Sequence, residues 1–223
     1  MKKIFINYFK YPIYLIVLIG FNVSNAGSYD DFFKAVRMDD AAEVQQLLAR
    51  GFDPNTQDPQ GQYGLLIAIR EPSPKVAKAL VDTPQIKLNA LNAQGESPLM
   101  LAALKGQLEL ASQMVQKGAD VNKTGWTPLH YAASNGHLPL IRLLIENSAY
   151  IDAESPNGST PLMMASMYGS LEAVKLLLDE GADPALKNQQ GLTAIQFAQR
   201  ASRLDVADLI AKFVRSKRPP GQW

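Results

Sequence analysis

The chain has 223 residues, 47% of them apolar, and its 22 lysine and arginine residues nearly balance 21 aspartate and glutamate residues, giving a net charge of +1. This length and apolar content suffice for a sizeable buried core, and the balanced charge implies neither a strongly basic nor a strongly acidic partner. The absence of cysteine excludes disulfide bonds and thiolate metal sites.

Residues 1–26 have the pattern of a secretory signal peptide. Three lysines stand among the first ten residues, an apolar run covers residues 13–21, and the small residues Ser24 and Ala26 occupy the positions that a signal peptidase reads. The apolar run is shorter than the ~20 residues of a membrane-spanning helix. We therefore expect a bacterial exported protein, periplasmic or secreted, whose mature chain begins at Gly27. The alternative is an uncleaved anchor in the inner membrane.

A helix–turn–helix unit recurs along the rest of the chain. At residues 127–132, Thr-Pro-Leu-His-Tyr-Ala predicts a helix start, because threonine caps the first turn and proline suits its first position. Gly136 ends that helix, and a second apolar run covers residues 140–145. Similar units start near residues 30, 63, 97, 127, 160 and 193. A fixed period of this size predicts a repeat architecture.

One column of small side chains supports the alignment of the six units. The residue five positions after each start is alanine in every unit: Ala35, Ala68, Ala102, Ala132, Ala165 and Ala198. A position two residues after each start is always apolar. We expect the alanines to lie where helices pack too closely for a larger side chain.

Two phrases carry a family resemblance. Thr-Pro-Leu-His-x-Ala at residues 127–132 and Gly-Ala-Asp-Val-Asn at residues 118–122 resemble the ankyrin repeat. The resemblance implies an all-α solenoid of about six helix–turn–helix units with short finger turns, which would span residues 27–214. Polar terminal units would cap the stack, and residues 215–223 form a basic tail that we expect to be disordered.

The repeats depart from the family pattern at three places. Two prolines in the segment 71–74 replace the usual glycine turn between helices, and Ser148 stands where other units have a glycine helix stop. The finger after Asn122 is three residues short, which predicts a notch in the row of fingers with Trp126 at its edge. Trp126 would either anchor a partner or fold back over the apolar surface that the notch exposes.

The chain offers few residues for chemistry. The resemblance implies that His130 hydrogen-bonds to backbone and threonine and so locks one repeat to the next, and that His137 lies in the inter-helix turn. Two histidines and no cysteine make a zinc site improbable. No phosphate-binding loop is present, and no histidine is left for a catalytic triad. We therefore expect no enzyme activity, no metal and no cofactor.

The resemblance places partner binding on the finger tips and on the exposed side of each first helix. The residues implied are Gln94, Glu96, Leu104, Lys105, Lys123, Thr124, Trp126, Ser134, Asn135, Asn157, Ser159, Met167, Tyr168 and Gln190. Neutral polar groups mixed with aromatic ones suit a protein surface better than nucleic acid, which favours a basic stripe.

The resulting hypothesis is an exported, non-enzymatic scaffold that binds another protein, with no nucleic acid and no small-molecule substrate as partner. Two alternatives remain open. One is a membrane-associated adaptor, which would touch the membrane only through residues 1–26 or the basic tail. The other is a secreted effector that binds a host protein.

Overall fold

The computed structural model describes residues 27–217, and within that range the regular structure is helical. An isolated bridge between Gln57 and Tyr63 is the only β pairing in the described part. The helices, in chain order, are α1 (27–37), α2 (Ala41–Ala49), α3 (Gly64–Arg70), α4 (Pro74–Asp82), α5 (Pro98–Lys105), α6 (Leu108–Gln116), α7 (Pro128–Ser134), α8 (Leu138–Glu146), α9 (Pro161–Tyr168), α10 (Leu171–Asp179), α11 (Ala194–Arg200) and α12 (Leu204–Ser216).

The odd-numbered first helices of the last four units begin with the same hydrogen bond. In each, the residue three positions into the helix accepts the backbone N–H of the capping serine or threonine, which the helix would otherwise leave unpaired. The acceptors are Met100 Sδ for Ser97 at 3.3 Å, His130 Nδ1 for Thr127 at 3.2 Å, Met163 Sδ for Thr160 at 3.4 Å and Gln196 Oε1 for Thr193 at 2.8 Å.

The predicted alanine column lies at the centre of the stack. All six alanines are at most 4% exposed and belong to one continuous apolar core. Each first helix packs against the first helix of the next unit, as α5, α7, α9 and α11 do in succession. A methyl group in this column lets neighbouring helices approach closely, so the prediction of an elongated core built by stacked units is confirmed.

A ladder of polar side chains also joins the units. Four equivalent residues each accept the backbone N–H of a residue in the next unit. The pairs are Asn55 with Lys87 at 2.8 Å, Asn89 with Asp120 at 2.9 Å, Asn122 with Tyr150 at 2.8 Å and Asp152 with Asp183 at 3.2 Å. These contacts pair backbone groups in the connecting segments.

Two of the predicted departures from the repeat pattern, at Ser148 and at residues 71–74, are visible in the backbone. Ser148 adopts φ 67°, in the left-handed region that Gly118 (89°) and Gly181 (102°) occupy in other units. In the second unit, Glu71 is extended and α4 begins at Pro74, so the proline segment forms an open turn. A left-handed serine is unfavourable relative to glycine, because its Cβ crowds the backbone.

The C-terminal boundary differs from the prediction. Helix α12 continues to Ser216, so Arg215 and Ser216 belong to the helix and not to the tail. A cation in the last helical turn interacts favourably with the helix dipole. The rest of the predicted tail after Lys217 and the predicted signal peptide lie outside the described residues. None of the helices of residues 27–217 is long and apolar enough to span a bilayer.

Candidate protein-binding surface

Two cavities lie side by side on the face formed by the first helices and the fingers. The first has a volume of about 290 Å³ and is lined by residues that include Leu104, Tyr131 and Ser134. The second, of about 260 Å³, reaches Phe197 and Arg200 of the last unit. Both cavities are also lined by Trp126, Met164 and Tyr168. We refer to the two cavities together as the central groove.

Trp126 stands at the middle of the central groove. Its side chain is partly buried and packs edge-on against the His130 ring, with the ring centroids 5.2 Å apart and the planes at 77°. The indole thus folds back onto the repeat, as one of the two alternatives predicted. It also lines both cavities, so part of its surface remains available to a partner.

The finger beside Trp126 lacks the bonds that close the other fingers. In those, one residue donates its N–H across the turn and accepts the N–H of the finger glycine, at 2.8–3.0 Å. The residues that make this pair of bonds are Asp58, Asn92, Ser155 and Asn188. The short finger, residues 123–126, has neither bond among those of residues 27–217. Its backbone is therefore held by fewer hydrogen bonds.

In the first finger, Asp58 also accepts the N–H groups of Gln60 and Gln62 through Oδ1, at 2.9 and 2.8 Å. Among residues 27–217, Asn122 makes no such side-chain bond within the short finger. It stands three residues before Gly125, the position that closes the turn in the other fingers. Its side chain is instead a rung of the inter-repeat ladder, because it accepts from Tyr150 N and donates to Ser148 O, both at 2.8 Å. In other units the ladder residue and the finger-closing residue are separate and stand three positions apart, as Asn55 and Asp58 do. The three-residue deletion merges these two positions at Asn122, which makes the inter-repeat bonds.

The structure places most of the predicted contact residues at the surface. Tyr168 is 61% exposed at the groove. Exposed positions are Gln94, Lys105, Thr124, Asn135, Asn157 and Gln190, and partly exposed positions are Glu96, Leu104, Lys123, Ser134 and Met167. The cavities bring together only the members from the third unit onward, and Gln94, Glu96, Lys105, Lys123, Thr124 and Asn135 do not line them.

Ser159 is the exception among the predicted contacts. It is 1% exposed, its carbonyl oxygen lies 2.9 Å from His130 Nε2, and its N–H donates to Ser155 Oγ at 3.0 Å. Its hydroxyl is also covered by the next finger, because Asn188 Nδ2 donates to Ser159 Oγ at 3.4 Å. Ser159 therefore holds the groove wall and offers no side chain to a partner.

Seven groove residues are absent from the predicted set, and three of them, Tyr131, Met164 and Phe197, are large side chains of the first helices. The other four are His130, Asn188, Leu192 and Arg200. Each of the three large side chains lies one helical turn before a predicted or equivalent position, namely Ser134, Met167 and Arg200. Residues three apart on a helix share a face, so this periodicity was the signal that identifies them. Together they make the groove floor more apolar than the predicted set suggests.

Tyr131 and Glu96 form a fixed polar pair at the edge of the first cavity. The Tyr131 hydroxyl donates to Glu96 Oε1 at 3.1 Å, and Asn92 Nδ2 donates to Glu96 Oε2 at 2.8 Å. Burial, followed by the charge of Glu96, raises the pKa of Tyr131 to about 12. Tyr131 is therefore a neutral hydrogen-bond donor at physiological pH, with its ring facing the groove.

His130 has the structural role that the resemblance implies. Its Nδ1 accepts the Thr127 N–H at 3.2 Å, so its Nε2 carries the proton and donates to Ser159 O at 2.9 Å. Burial lowers its pKa to about 4, and the ring is neutral at pH 7. His137 likewise contacts Leu104 O through Nε2 at 3.2 Å. Within residues 27–217, no three histidine, aspartate or glutamate side chains are grouped to hold a metal.

Stacked helix pairs with a shallow apolar groove define a helical-repeat scaffold. The chain belongs to the ankyrin repeat family, because the family model for "Ankyrin repeats (3 copies)" matches residues 32–124, 84–155, 121–188 and 150–217. Ankyrin repeats generally mediate interactions between proteins, and the matched region contains only repeats.

Curated relatives share the repeats and are longer proteins. The chain is 30% identical over 109 residues to the ankyrin repeat and SAM domain-containing protein 6 of Rattus norvegicus, covering 47% of this chain and 12% of that protein. It is 35% identical over 77 residues to the protein phosphatase 1 regulatory subunit 27 of Mus musculus, covering 33% of this chain and 50% of the relative. The chain thus spans half or less of these relatives.

Solved structures match along most of the chain. The crystal structure of EF0377, an ankyrin repeat protein, has a TM-score of 0.72 at 26% identity and covers 82% of this chain and 96% of that one. A chain from the complex of Bd0816, a predatory endopeptidase from Bdellovibrio bacteriovorus, with the immunity protein Bd3460 has a TM-score of 0.70 at 28% identity, covering 82% and 97%.

Proposed function

We propose that this protein is an exported, non-enzymatic scaffold that binds another protein through the central groove. The observation that carries the proposal is the apolar centre of the groove, where Trp126, Met164 and Tyr168 line both cavities. Tyr168 is 61% exposed although it is a large aromatic side chain. Exposed aromatic residues beside a concave apolar surface are typical of binding hot spots.

The size of the cavities favours a protein partner over a small molecule. The two cavities measure about 290 and 260 Å³ and open onto the same face, so each is at or just below the lower end of the about 300–1,000 Å³ that small-molecule sites usually enclose. Each suits one inserted side chain. The groove also holds no reactive cluster, because the neutral His130 ring is fully used in structural hydrogen bonds.

The test is capture of a partner by the wild-type protein and by Trp126→Ala/Tyr168→Ala. We expect the wild type to retain a discrete protein from an envelope extract and the double variant to lose most of it, because hot-spot aromatic residues each contribute at least about 2 kcal/mol. Tyr150→Ala is the matched control, since Tyr150 is 70% exposed and lines neither cavity. Equal capture by the wild type and a folded double variant would reject the site.

Export is part of the proposal and is supported by the signal-like pattern of residues 1–26. Cell fractionation followed by N-terminal sequencing tests it. We expect periplasmic or secreted protein that begins at Gly27. Intact Met1 in a salt-resistant membrane fraction would instead support the inner-membrane adaptor, and intact Met1 in the cytoplasm would contradict export.

A second, narrower candidate is a scaffold that binds and blocks an exported peptidase. It is favoured by the similarity to a chain of the endopeptidase–immunity protein complex over 82% of this chain. The experiment is to assay the captured partner for peptide hydrolysis with and without excess wild-type protein. We expect hydrolysis that the wild type suppresses and Trp126→Ala/Tyr168→Ala does not. A captured partner without peptidase activity would reject this candidate and leave the scaffold proposal intact.

A further inference from the structure

The charges around the central groove are distributed unlike those of the whole molecule. Residues 27–217 contain 18 basic and 21 acidic side chains, so this part of the chain is net acidic. The face that carries the groove has the opposite bias. Arg200 lines the cavity at the far end of the groove. Arg70, Lys105 and Lys123 stand at first-helix or finger positions of the second and third units, outside the lining of both cavities.

The two arginines occupy equivalent positions, seven residues after the starts of their units. Arg70 Nη1 donates to Gln62 Oε1 at 3.0 Å, and Arg200 Nη1 donates to Gln190 Oε1 at 3.5 Å. In both cases a neutral finger glutamine holds the guanidinium on the groove side. The residues between them in this column are Leu104, Ser134 and Met167, which carry no charge.

These cations lack carboxylate partners within the described part of the chain. The ion pairs there join Arg37 to Asp58, Lys117 to Asp82 and Arg142 to Glu180. None of them includes a cation of the groove face. Positive charges left unpaired around an apolar centre favour a partner of complementary charge.

The acidic side chains on the same face do not cancel this bias. Glu96 accepts hydrogen bonds from Tyr131 and Asn92 through its two oxygens. Glu71 follows Arg70 at the end of α3 and is partly exposed. It is the other carboxylate at the exposed first-helix and finger-tip positions of the second to sixth units. At the exposed first-helix and finger-tip positions of the second to sixth units, four cations therefore stand against two carboxylates, one of which is already engaged.

We propose that the occupant of the central groove is an acidic protein segment that inserts one bulky apolar side chain between Trp126 and Tyr168 and places carboxylates toward Arg70, Lys105 and Arg200. The inference rests on the proposed function, since it names the chemistry of the partner at the same site. Nucleic acid fits less well, because the cations are separated by an apolar centre and form no continuous stripe.

The test uses three fluorescent peptides of equal length with a central phenylalanine flanked by glutamate, serine or lysine. Fluorescence anisotropy with the full-length protein should give the tightest binding for the glutamate peptide, and 0.5 M NaCl should reduce its advantage, because salt screens exposed charges. Replacing phenylalanine by alanine in the glutamate peptide should abolish binding. Equal affinity for the three peptides would overturn the inference.

Variants locate the charge effect. Arg70→Gln/Lys105→Gln/Arg200→Gln should weaken binding of the glutamate peptide about tenfold, because three modest exposed ion pairs are lost together, while binding of the serine peptide is unaffected. Lys75→Gln/Lys78→Gln/Lys175→Gln changes charge equally on the second helices and should have no such effect. A glutamate preference that survives the first triple variant, or tighter binding of a single-stranded oligonucleotide than of the glutamate peptide, would overturn the proposal.

The two proposals can fail separately. If a natural partner is captured in a Trp126- and Tyr168-dependent way but its binding is unchanged by the first triple variant, the acidic-segment inference fails and the groove remains the site. If capture is independent of Trp126 and Tyr168, the proposed function itself fails.

Discussion

The Nε2 atom of His130 lies 2.9 Å from the carbonyl oxygen of Ser159, the finger residue that directly precedes the start of the next unit at Thr160. The same ring accepts the Thr127 N–H through Nδ1, so one neutral imidazole caps its own helix and ties that helix to the finger that leads into the next unit. If Nδ1 were protonated, its N–H would point at the Thr127 N–H, and the hydrogen bond between them would be lost. Burial accordingly lowers the pKa of His130 to about 4.

This geometry predicts acid sensitivity with a definite sign. Because the folded-state pKa is below the unfolded value of 6.5, the unfolded chain takes up the proton first. Stability is complete above about pH 6.5 and falls as the pH drops toward 4, by about 3 kcal/mol in total from this group. Urea denaturation across this pH range measures the effect.

The control is His130→Met, because Met100 and Met163 accept the equivalent cap N–H in neighbouring units. This variant should be less stable at pH 7 by about 1–2 kcal/mol, since the bond to Ser159 O is lost. Its stability should fall less between pH 6.5 and 4 than that of the wild type. The same pH slope in both proteins would contradict the role assigned to His130.

Gly169→Ala should be strongly destabilising for a steric reason. Gly169 has φ −78°, which any residue can adopt, but an added Cβ would clash with the carbonyl oxygen of Ala133 in the preceding unit. A backbone oxygen cannot move away without shifting the helix, so we expect a loss of about 2–3 kcal/mol or more. Thermal unfolding followed by circular dichroism gives the measurement.

Gly181→Ala is the comparison for that variant. Gly181 has φ +102°, and an added Cβ would meet no other atom within 4 Å, so only backbone strain opposes alanine there. We expect a loss of about 1 kcal/mol. The repeat-to-repeat contact at Gly169 would be disproved if the two variants unfolded at the same temperature.

Asn122→Ala should loosen the joint between the third and fourth units. The substitution removes two hydrogen bonds at 2.8 Å, one from Tyr150 N and one to Ser148 O. The expected loss is about 1–2 kcal/mol. Asn147→Ala removes only a local bond to Leu143 O and should cost less. Guanidinium denaturation measures the free energy of unfolding of both variants. A larger loss for Asn147→Ala than for Asn122→Ala would contradict the stabilising role of the inter-repeat bonds.

Ser148→Gly should stabilise the protein. Ser148 is held at φ 67°, where glycine avoids the crowding of Cβ, and we expect a gain of about 0.5–1 kcal/mol after the extra backbone entropy of glycine is subtracted. Ser112→Gly, in the interior of α6, should instead cost a similar amount. Differential scanning calorimetry should show the two melting temperatures moving in opposite directions.

The period and the alanine column were sufficient to predict the architecture from the sequence. Ala102, Ala132 and Ala165 are fully buried because their spacing returns the same helix face to the same neighbour in each unit. The end of α12 was misplaced because Arg215 and Ser216 carry no breaking signal, and proline first appears at Pro219. Helix ends without glycine or proline are weakly encoded.

The site was predicted less completely, for a geometric reason. Aligned positions identify which residues are free to vary but not how far each is enclosed by the next unit. Ser159 was therefore placed among the contacts although its neighbours bury it. The predicted set lacks Tyr131 and Met164 because it includes only the finger tips and the end of each first helix, whereas the groove reaches one helical turn further. The double role of Asn122 depends on a tertiary partner, Tyr150, that no local pattern shows.

The open third finger has a dynamic consequence. Its amide protons lack the cross-turn acceptors that protect the other four fingers, so in deuterated water residues 123–126 should exchange first along this edge of the solenoid. Local breathing would then be concentrated beside Trp126, where a partner must enter. The rest of the scaffold can stay rigid while this one loop adjusts to the bound partner. The conformational entropy lost on binding then comes mainly from residues 123–126.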